Sequence, residues 1–288
     1  MKAKLAYKAN DSLGEGPVWV SEEQALYWVD IERPTLQRWN PESGQYQKWV
    51  MPSDIGCFAL REQGGAVLGL RTGFAYLDFS TGDILPIIDP EADKPYTRFN
   101  DGKCDRLGRF WAGTLDEEGP NTRGALYRLD PDGDFQTMKP GIGISNGLGW
   151  SPDNRVMYYT DSAKRTIWAY DFDQESGSIG NQRVFAVTPQ AYVPDGLTVD
   201  TEGFVWSAKW DGWKVVRYAP DGSIDLEVQL PVQRPTSCIF GGPGLNQLYI
   251  TSASTGLADD ELAEQPLAGS VFVLESGVQG LPEPRFAG

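Results

Sequence analysis

The sequence predicts an all-β fold, a six-bladed β-propeller with four antiparallel strands per blade. The first observation behind this is a register position that recurs six times, 40 to 49 residues apart, and each time opens a short apolar segment leading to an aromatic-rich strand. The second is a glycine-containing turn that recurs later in the repeats. Repeats of this length are typical of propellers. The recurring position, here called the column, is occupied by Glu15, Ile55, Asn100, Asn146, Asp195 and Thr236.

Each repeat can be divided into four strands. A first strand follows the column residue, as at 17–20 and 197–199, and a polar fourth strand leads into the next repeat. The third strand ends in turns such as Pro220-Asp-Gly222, where glycine supplies the positive φ of a tight hairpin. The second strands are rich in β-branched and aromatic residues, and we place them at 25–29, 109–112, 156–160, 204–208 and 247–251. The clearest third strands are 35–39, 125–129, 166–170 and 214–218.

The two ends of the chain predict how the ring closes. The sixth repeat has three recognisable strands, but a short Gly/Pro-rich tail stands in place of its fourth. Residues 4–8 precede the first column residue and belong to no repeat. We expect them to pair into the last blade and leave no open sheet edge. No linker interrupts residues 1–288, so we expect a single propeller domain; a β-sandwich would not explain the regular period.

Composition excludes several classes of function. The formal net charge of −15 and the scattered 25 lysines and arginines disfavour nucleic acid and anionic membranes as partners. The absence of histidine excludes Ser-His-Asp, Cys-His and histidine–zinc chemistry. Three cysteines without Cys-x-x-Cys spacing argue against a disulfide framework or thiolate zinc site. The N-terminus lacks an apolar signal region and no stretch reaches membrane-span length, so we expect a cytoplasmic protein.

The column predicts a polar site at one mouth of the central channel. The first strand of a propeller blade lies nearest the axis, so Glu15, Asn100, Asn146 and Asp195 should converge. Two carboxylates and two amide oxygens suit calcium, magnesium, manganese or another divalent cation. Such a cation would also offset the repulsion between the carboxylates. The alternative is that these Asn-Gly and Asp-Gly residues only hydrogen-bond local turns.

Loops between second and third strands should return to the same mouth. The segment 116–123 is one of them, and it looks short for a lid over a substrate. Arg98 near the third column residue would bind sugar hydroxyls or a carboxylate, or form an ion pair at the rim. Asp161 would support the site or cap a turn. Trp210 and Trp213 would stack on a sugar, although packing is the better expectation for them.

Eight segments, taken in order, give the chain a resemblance to a known family. They are 13–19 (Leu-Gly-Glu-Gly-Pro-Val-Trp), 98–103 (Arg-Phe-Asn-Asp-Gly-Lys), 110–114 (Phe-Trp-Ala-Gly-Thr), 144–148 (Ile-Ser-Asn-Gly-Leu), 159–162 (Tyr-Thr-Asp-Ser), 194–197 (Pro-Asp-Gly-Leu), 236–242 (Thr-Ser-Cys-Ile-Phe-Gly-Gly) and the closing 286–288 (Phe-Ala-Gly). Along essentially its whole length, the chain resembles the senescence marker protein/regucalcin/gluconolactonase family, six-bladed propellers that hydrolyse sugar lactones with one divalent cation.

The resemblance implies metal-dependent hydrolysis of sugar lactones to aldonic acids in carbohydrate catabolism, by a monomer or weak dimer. The cation would be calcium, zinc, magnesium, manganese or iron(II). Its implied ligands are Glu15, Asn146 and Asp195, with Asp195 also the catalytic general base. The implied substrate contacts are Arg98, Asn100 and Glu118. A cation would polarise the lactone carbonyl and stabilise the oxyanion; Asp195 would then deprotonate the attacking water, or orient a metal-activated hydroxide.

Two other functions stand beside this one. A calcium-binding regulatory protein of the regucalcin type, without a dominant catalytic role, would show tight calcium affinity and a partner surface. Hydrolysis of organophosphates or aryl esters is weakened as a hypothesis, because the propellers with that activity generally use histidine beside calcium. The sequence has none.

Overall fold

The computed structural model describes residues 2–119 and 122–288. Within these residues the strands form six four-stranded antiparallel sheets. Blade one contains β2 (Gly14–Val20), β3 (Ala25–Asp30), β4 (Thr35–Trp39) and β5 (Tyr46–Val50). Blade two contains β6 (Ile55–Leu60), β7 (Ala66–Leu70), β8 (Gly73–Leu77) and β9 (Ile84–Ile88). Blade three contains β10 (Thr97–Cys104), β11 (Phe110–Asp116), β12 (Gly124–Leu129) and β13 (Phe135–Ile142).

The second half of the chain repeats this arrangement. Blade four contains β14 (Ser145–Trp150), β15 (Val156–Asp161), β16 (Thr166–Asp173) and β17 (Ser178–Val187). Blade five contains β18 (Val193–Val199), β19 (Val205–Trp210), β20 (Lys214–Tyr218) and β21 (Ile224–Gln229). Blade six contains β22 (Pro235–Gly241), β23 (Gln247–Ser252), β24 (Val271–Glu275) and the N-terminal strand β1 (Lys4–Tyr7).

The innermost strands close a ring. Each of β2, β6, β10, β14, β18 and β22 contacts the innermost strands of both neighbouring blades, and β22 returns to β2. In blade six, β1 pairs antiparallel with β24, placing Lys4 opposite Val273 and Leu5 opposite Phe272. The predicted six-bladed propeller and its closure by the N-terminal strand are therefore confirmed.

Most of the hydrophobic core lies between adjacent blades. Among the described residues there are six buried apolar clusters, each joining two neighbouring sheets. Two tryptophans at these interfaces donate their indole N–H to buried aspartates: Trp111 to Asp105 and Trp206 to Asp200, both at 2.9 Å. Each aspartate also pairs with an arginine. These buried carboxylates are neutralised within the protein and stabilise the blades.

The first strands of blades one and five begin earlier than the predicted 17–20 and 197–199. Glu15 is the second residue of β2 and Asn100 the fourth of β10, so the column lies inside the strand rather than ahead of it. Antiparallel pairing with the second strand begins before both residues, which explains the longer strands. Two short helices were also not predicted: a 3-10 turn at Ser162–Lys164 and α1 at Asp259–Glu264. Within the described residues no helix could span a membrane.

Candidate active site

A bulge marks the column in every innermost strand. Pairing between the first and second strands shifts register at Glu15, Ile55, Asn100, Asn146, Asp195 and Thr236 or directly beside them. A bulge inserts an extra residue and redirects the local side chains. The six-fold column is therefore a six-fold set of bulges at one end of the channel.

Glycines beside these bulges let the innermost strands approach closely. A Cβ on Gly147 would lie 2.7 Å from the carbonyl oxygen of Asp195, and one on Gly196 would overlap the Ser237 side chain. Both glycines lie within strands, so Asn146-Gly and Asp195-Gly are not hairpin turns. Their glycines instead bring blades four, five and six together around the axis.

The four polar column residues line one cavity of about 230 Å³ at the channel mouth. The buried Ile55 and Thr236 are absent from its wall, and Thr236 Oγ1 instead donates to the carbonyl of Gly14 at 2.5 Å. The wall is completed by Leu13, Arg98, Leu115, Ile144, Ser162, Val193 and Trp210. Convergence of the polar members thus follows from the repeat, while Ile55 and Thr236 contribute no polar group to the cavity wall.

The cavity contains two buried carboxylates. Glu15 and Asp195 are 4% and 5% exposed, and neither has a lysine or arginine partner within 4 Å among the residues the structure describes. Burial raises the pKa of both groups. The charge of Asp195 next raises the pKa of Glu15, and that of Asp101 raises the pKa of Asp195. Unlike Asp105 and Asp200, this pair has no cation in contact to neutralise it.

Asn146 supplies an unpartnered oxygen beside these carboxylates. Its Oδ1 is buried and accepts no hydrogen bond from the described protein, while its Nδ2 donates to Ser162 Oγ at 3.0 Å. Ser162 Oγ in turn donates to the carbonyl of Pro194 at 2.6 Å. Asn146 also hydrogen-bonds the carboxyl of Asp195 and lowers its pKa, and its oxygen is the unpartnered end of the amide.

The donor set fits a divalent cation. Two carboxylates and an amide oxygen are hard ligands of the kind that calcium, magnesium and manganese prefer. Within residues 2–119 and 122–288, no group of three or more His, Cys, Asp or Glu side chains could hold a metal. That observation is compatible with this site, because its third donor would be the amide of Asn146.

Arg98 and Asn100 form the side of the cavity next to blade three. Asn100 donates from Nδ2 to the carbonyl of Ser145 at 2.8 Å, and its Oδ1 accepts from Arg98 Nη1 at 2.9 Å. Arg98 Nε also lies 3.3 Å from Glu117 Oε1. Arg98 therefore both lines the cavity and forms the rim ion pair that was the alternative from sequence.

Glu118 is not brought to the cavity. Its side chain is 62% exposed and pairs with Arg123, with Nη2 2.9 Å from Oε2. The neighbouring Glu117 contacts Arg98 instead. Part of the loop 116–123 lies outside the described residues, so its predicted inability to act as a lid stays a prediction.

Several residues near the site were missed or ranked low from sequence. Ser162 had a signal, because it belongs to the 159–162 motif, but its link to Asn146 depends on how two blades pack. Trp210 lines the cavity, whereas Trp213 is 39% exposed and points to no cavity role. Asp161 accepts backbone N–H groups from residues 143 and 144, at 3.4 and 3.3 Å, so it caps the approach to β14.

The chain is similar to known proteins over a region that contains all residues of the cavity wall. A family model described as the SMP-30/Gluconolactonase/LRE-like region matches residues 13–254. The chain is 40% identical to a 6-deoxy-6-sulfogluconolactonase of Pseudomonas putida, over 99% of this chain and 98% of that protein. It is 40% identical to an L-arabinolactonase of Azospirillum brasilense, over 100% and 96%. A crystal structure of a calcium-binding protein, regucalcin, from Agrobacterium tumefaciens superposes with a TM-score of 0.94 at 27% identity, covering 99% and 97%.

Proposed function

Since the chain belongs to the SMP-30/gluconolactonase/LRE-like family, we propose that it hydrolyses sugar lactones to aldonic acids with one divalent cation at its channel mouth. The relatives named as lactonases, each matched over nearly its full length, support lactone hydrolysis. The main support for a cation is that two buried carboxylates without an ion-pair partner lie in the same cavity as the free Oδ1 of Asn146. Burying two ionised carboxylates together costs free energy unless a bound cation offsets their charge.

Glu15, Asn146 and Asp195 would hold this cation. When bound, it would supply Lewis-acid polarisation of the lactone carbonyl and stabilise the negative charge that develops on its oxygen. All three donors are oxygens, which bind calcium, magnesium and manganese, so the identity of the ion must be determined by experiment.

The protein's own residues would do the rest. Asp195 would accept the proton of the attacking water, and as a carboxylate beside a cation it would be a weak base that suffices for a reactive ester. Arg98 Nη2, which has no hydrogen-bond partner among the described residues, would donate to a sugar hydroxyl. Asn100 would hold Arg98 in place and share the substrate contact. Glu118 remains a proposed contact from the adjoining loop.

A proton-release assay over several five- and six-carbon aldonolactones tests the proposal. We expect hydrolysis that a chelator abolishes and a divalent cation restores, and a folded Asp195→Ala variant with little activity. Chelator-insensitive hydrolysis, or full activity in Asp195→Ala, would contradict the mechanism. Tight calcium binding without hydrolysis of any lactone would instead favour the regulatory alternative, which the calcium-binding structural relative keeps open.

A further inference from the structure

Glu117 joins two arginines at the rim of the cavity. Arg71 contacts it through two nitrogens, with Nη1 2.6 Å from Oε2 and Nη2 2.8 Å from Oε1. Arg98 Nε approaches the same carboxylate at 3.3 Å. Arg71 is also held by Asp54, with Nη2 2.6 Å from Oδ2. Two carboxylates and two guanidinium groups therefore form one network with no net charge.

This network sets the net charge around Arg98, which lines the cavity. Arg98 is the one cationic side chain on the cavity wall among the described residues. Without Glu117, Arg98 and Arg71 would present two guanidinium groups to the mouth with only Asp54 to offset them. Such a pair is a ready partner for a sulfonate, phosphate or carboxylate. With Glu117 in place, the remaining Arg98 donor serves as a hydrogen-bond donor for hydroxyls.

The rest of the protein disfavours an anion as well. The net charge of −15 repels anionic ligands at long range. In the cavity, one divalent cation would only balance Glu15 and Asp195, leaving no surplus positive charge for a substituent. Hydrogen bonds from Arg71 lower the pKa of Glu117, so this carboxylate is ionised at neutral pH.

We infer that Glu117 is a specificity-determining residue, which makes the site select uncharged aldonolactones over lactones with an anionic substituent. The inference rests on the proposed function and narrows its substrate class. The two lactonase relatives differ in the charge of the lactone for which they are named: one is named for a sulfonated lactone and the other for the uncharged arabinolactone. By this inference, the chain would share its preference for an uncharged substrate with the second relative.

The test compares kcat/KM for glucono-lactone and 6-deoxy-6-sulfoglucono-lactone in the wild type, Glu117→Gln and Arg71→Gln. The wild type should prefer the uncharged lactone, and Glu117→Gln should move the ratio toward the sulfonated one by about tenfold. Arg71→Gln should move the ratio the other way, because it leaves the rim with a surplus carboxylate. Glu23→Gln is the matched control: Glu23 is as exposed as Glu117, 36% against 37%, and pairs with Arg38 away from the cavity. It should not change the ratio.

A binding measurement separates this inference from the proposed function. Calorimetric titration with gluconate and 6-phosphogluconate reports charge preference without any turnover. If no lactone is hydrolysed but Glu117→Gln still gains affinity for 6-phosphogluconate alone, the proposed function fails and the role of Glu117 stands. A wild type that prefers the sulfonated lactone, or equal ratios in Glu117→Gln and the wild type, would overturn the inference.

Discussion

The two ends of the central channel hold cavities of similar size and different electrostatics. The first, of about 230 Å³, contains Glu15 and Asp195 without a cation in contact. The second, of about 210 Å³, lies farther along the innermost strands and contains Asp101, Lys103 and Glu283. There Lys103 Nζ lies 3.4 Å from Glu283 Oε1. The opposite end thus contains an ion pair, whereas Glu15 and Asp195 at the mouth have no cationic side chain in contact among the described residues.

Neighbouring residues of one strand line different cavities at the bulge that shifts pairing between Phe99 and Asp101. Asn100 and Asp101 are consecutive in β10, yet the first lines the mouth cavity and the second the opposite one. The C-terminal segment contributes Glu283 to the opposite end and is anchored by the Phe286 N–H, which donates to the carbonyl of Leu60 at 2.8 Å. Buried carboxylates occur at both ends, but only at the mouth, where we propose the active site, do they lack an ion-pair partner among the described residues.

The largest effect should come from Asp195→Asn. The substitution keeps the shape of the side chain but removes a proposed base and cation ligand, so kcat should fall by about 10²- to 10⁴-fold. Proton release measures the rate, and circular dichroism checks that the variant folds. Activity within a few-fold of the wild type would remove the functional distinction between the two ends.

A smaller effect is expected from Ser162→Ala. Ser162 lies on the cavity wall, but it is not a proposed cation ligand; it orients Asn146 by accepting from Nδ2 at 3.0 Å. Loss of such a supporting contact typically lowers metal affinity by about 10- to 100-fold. Activity should return at high cation concentration. If no cation concentration restores the activity of Ser162→Ala, Ser162 acts in some other way.

The pH dependence of stability should sharpen the comparison further. In cation-free protein the pKa values of Glu15 and Asp195 are raised, so the folded state binds more protons than the unfolded state above about pH 4. Stability therefore falls as pH rises through this window toward the raised folded values. In denaturant titrations, the wild type should therefore lose stability relative to Asp195→Asn as pH rises above about 4.

Saturating divalent cation should flatten this curve for the wild type and leave that of Asp195→Asn nearly unchanged. Asp11, whose pKa burial raises to about 7, titrates in both proteins and cancels in the difference. A difference that is flat with pH in the absence of cation would show that Asp195 is neutralised by the protein itself.

The smallest effect should come from Glu283→Gln at the opposite end. Lys103 would lose one partner but keep the nearby charge of Asp101, so stability should change by about 1 kcal/mol or less. Rates and cation affinity should match the wild type. A clear loss of activity would mean that the two ends of the channel are coupled.

The fold was predictable because its evidence is periodic. Repeated strands, repeated turns and an unassigned N-terminal strand each indicate the propeller without reference to any contact. The convergence of Glu15, Asn100, Asn146 and Asp195 followed from the same period, because equivalent positions in a ring must face one axis. The error in strand bounds also has a physical cause. A bulge interrupts the alternation of apolar and polar residues, so the pattern does not reveal that pairing continues on both sides of it.

The details of the site depend on contacts between blades, which no repeat encodes. The Asn146–Ser162–Pro194 chain joins two blades, and the choice of Glu117 rather than Glu118 as the partner of Arg98 depends on the path of one loop. Adjacent acidic residues look alike in sequence. The separation of Asn100 from Asp101 likewise needs the bulge, which sets which side chain faces the mouth.

Calorimetric titration of a divalent cation into chelator-treated protein tests most directly whether the mouth cavity binds a cation. We expect one cation per chain, with protons released on binding, because the raised pKa values favour the protonated forms of Glu15 and Asp195 in its absence. The heat of binding should therefore depend on the ionisation enthalpy of the buffer, and the site should disappear in Asp195→Asn. Absence of saturable binding in the wild type, or an unchanged isotherm in Asp195→Asn, would contradict the account.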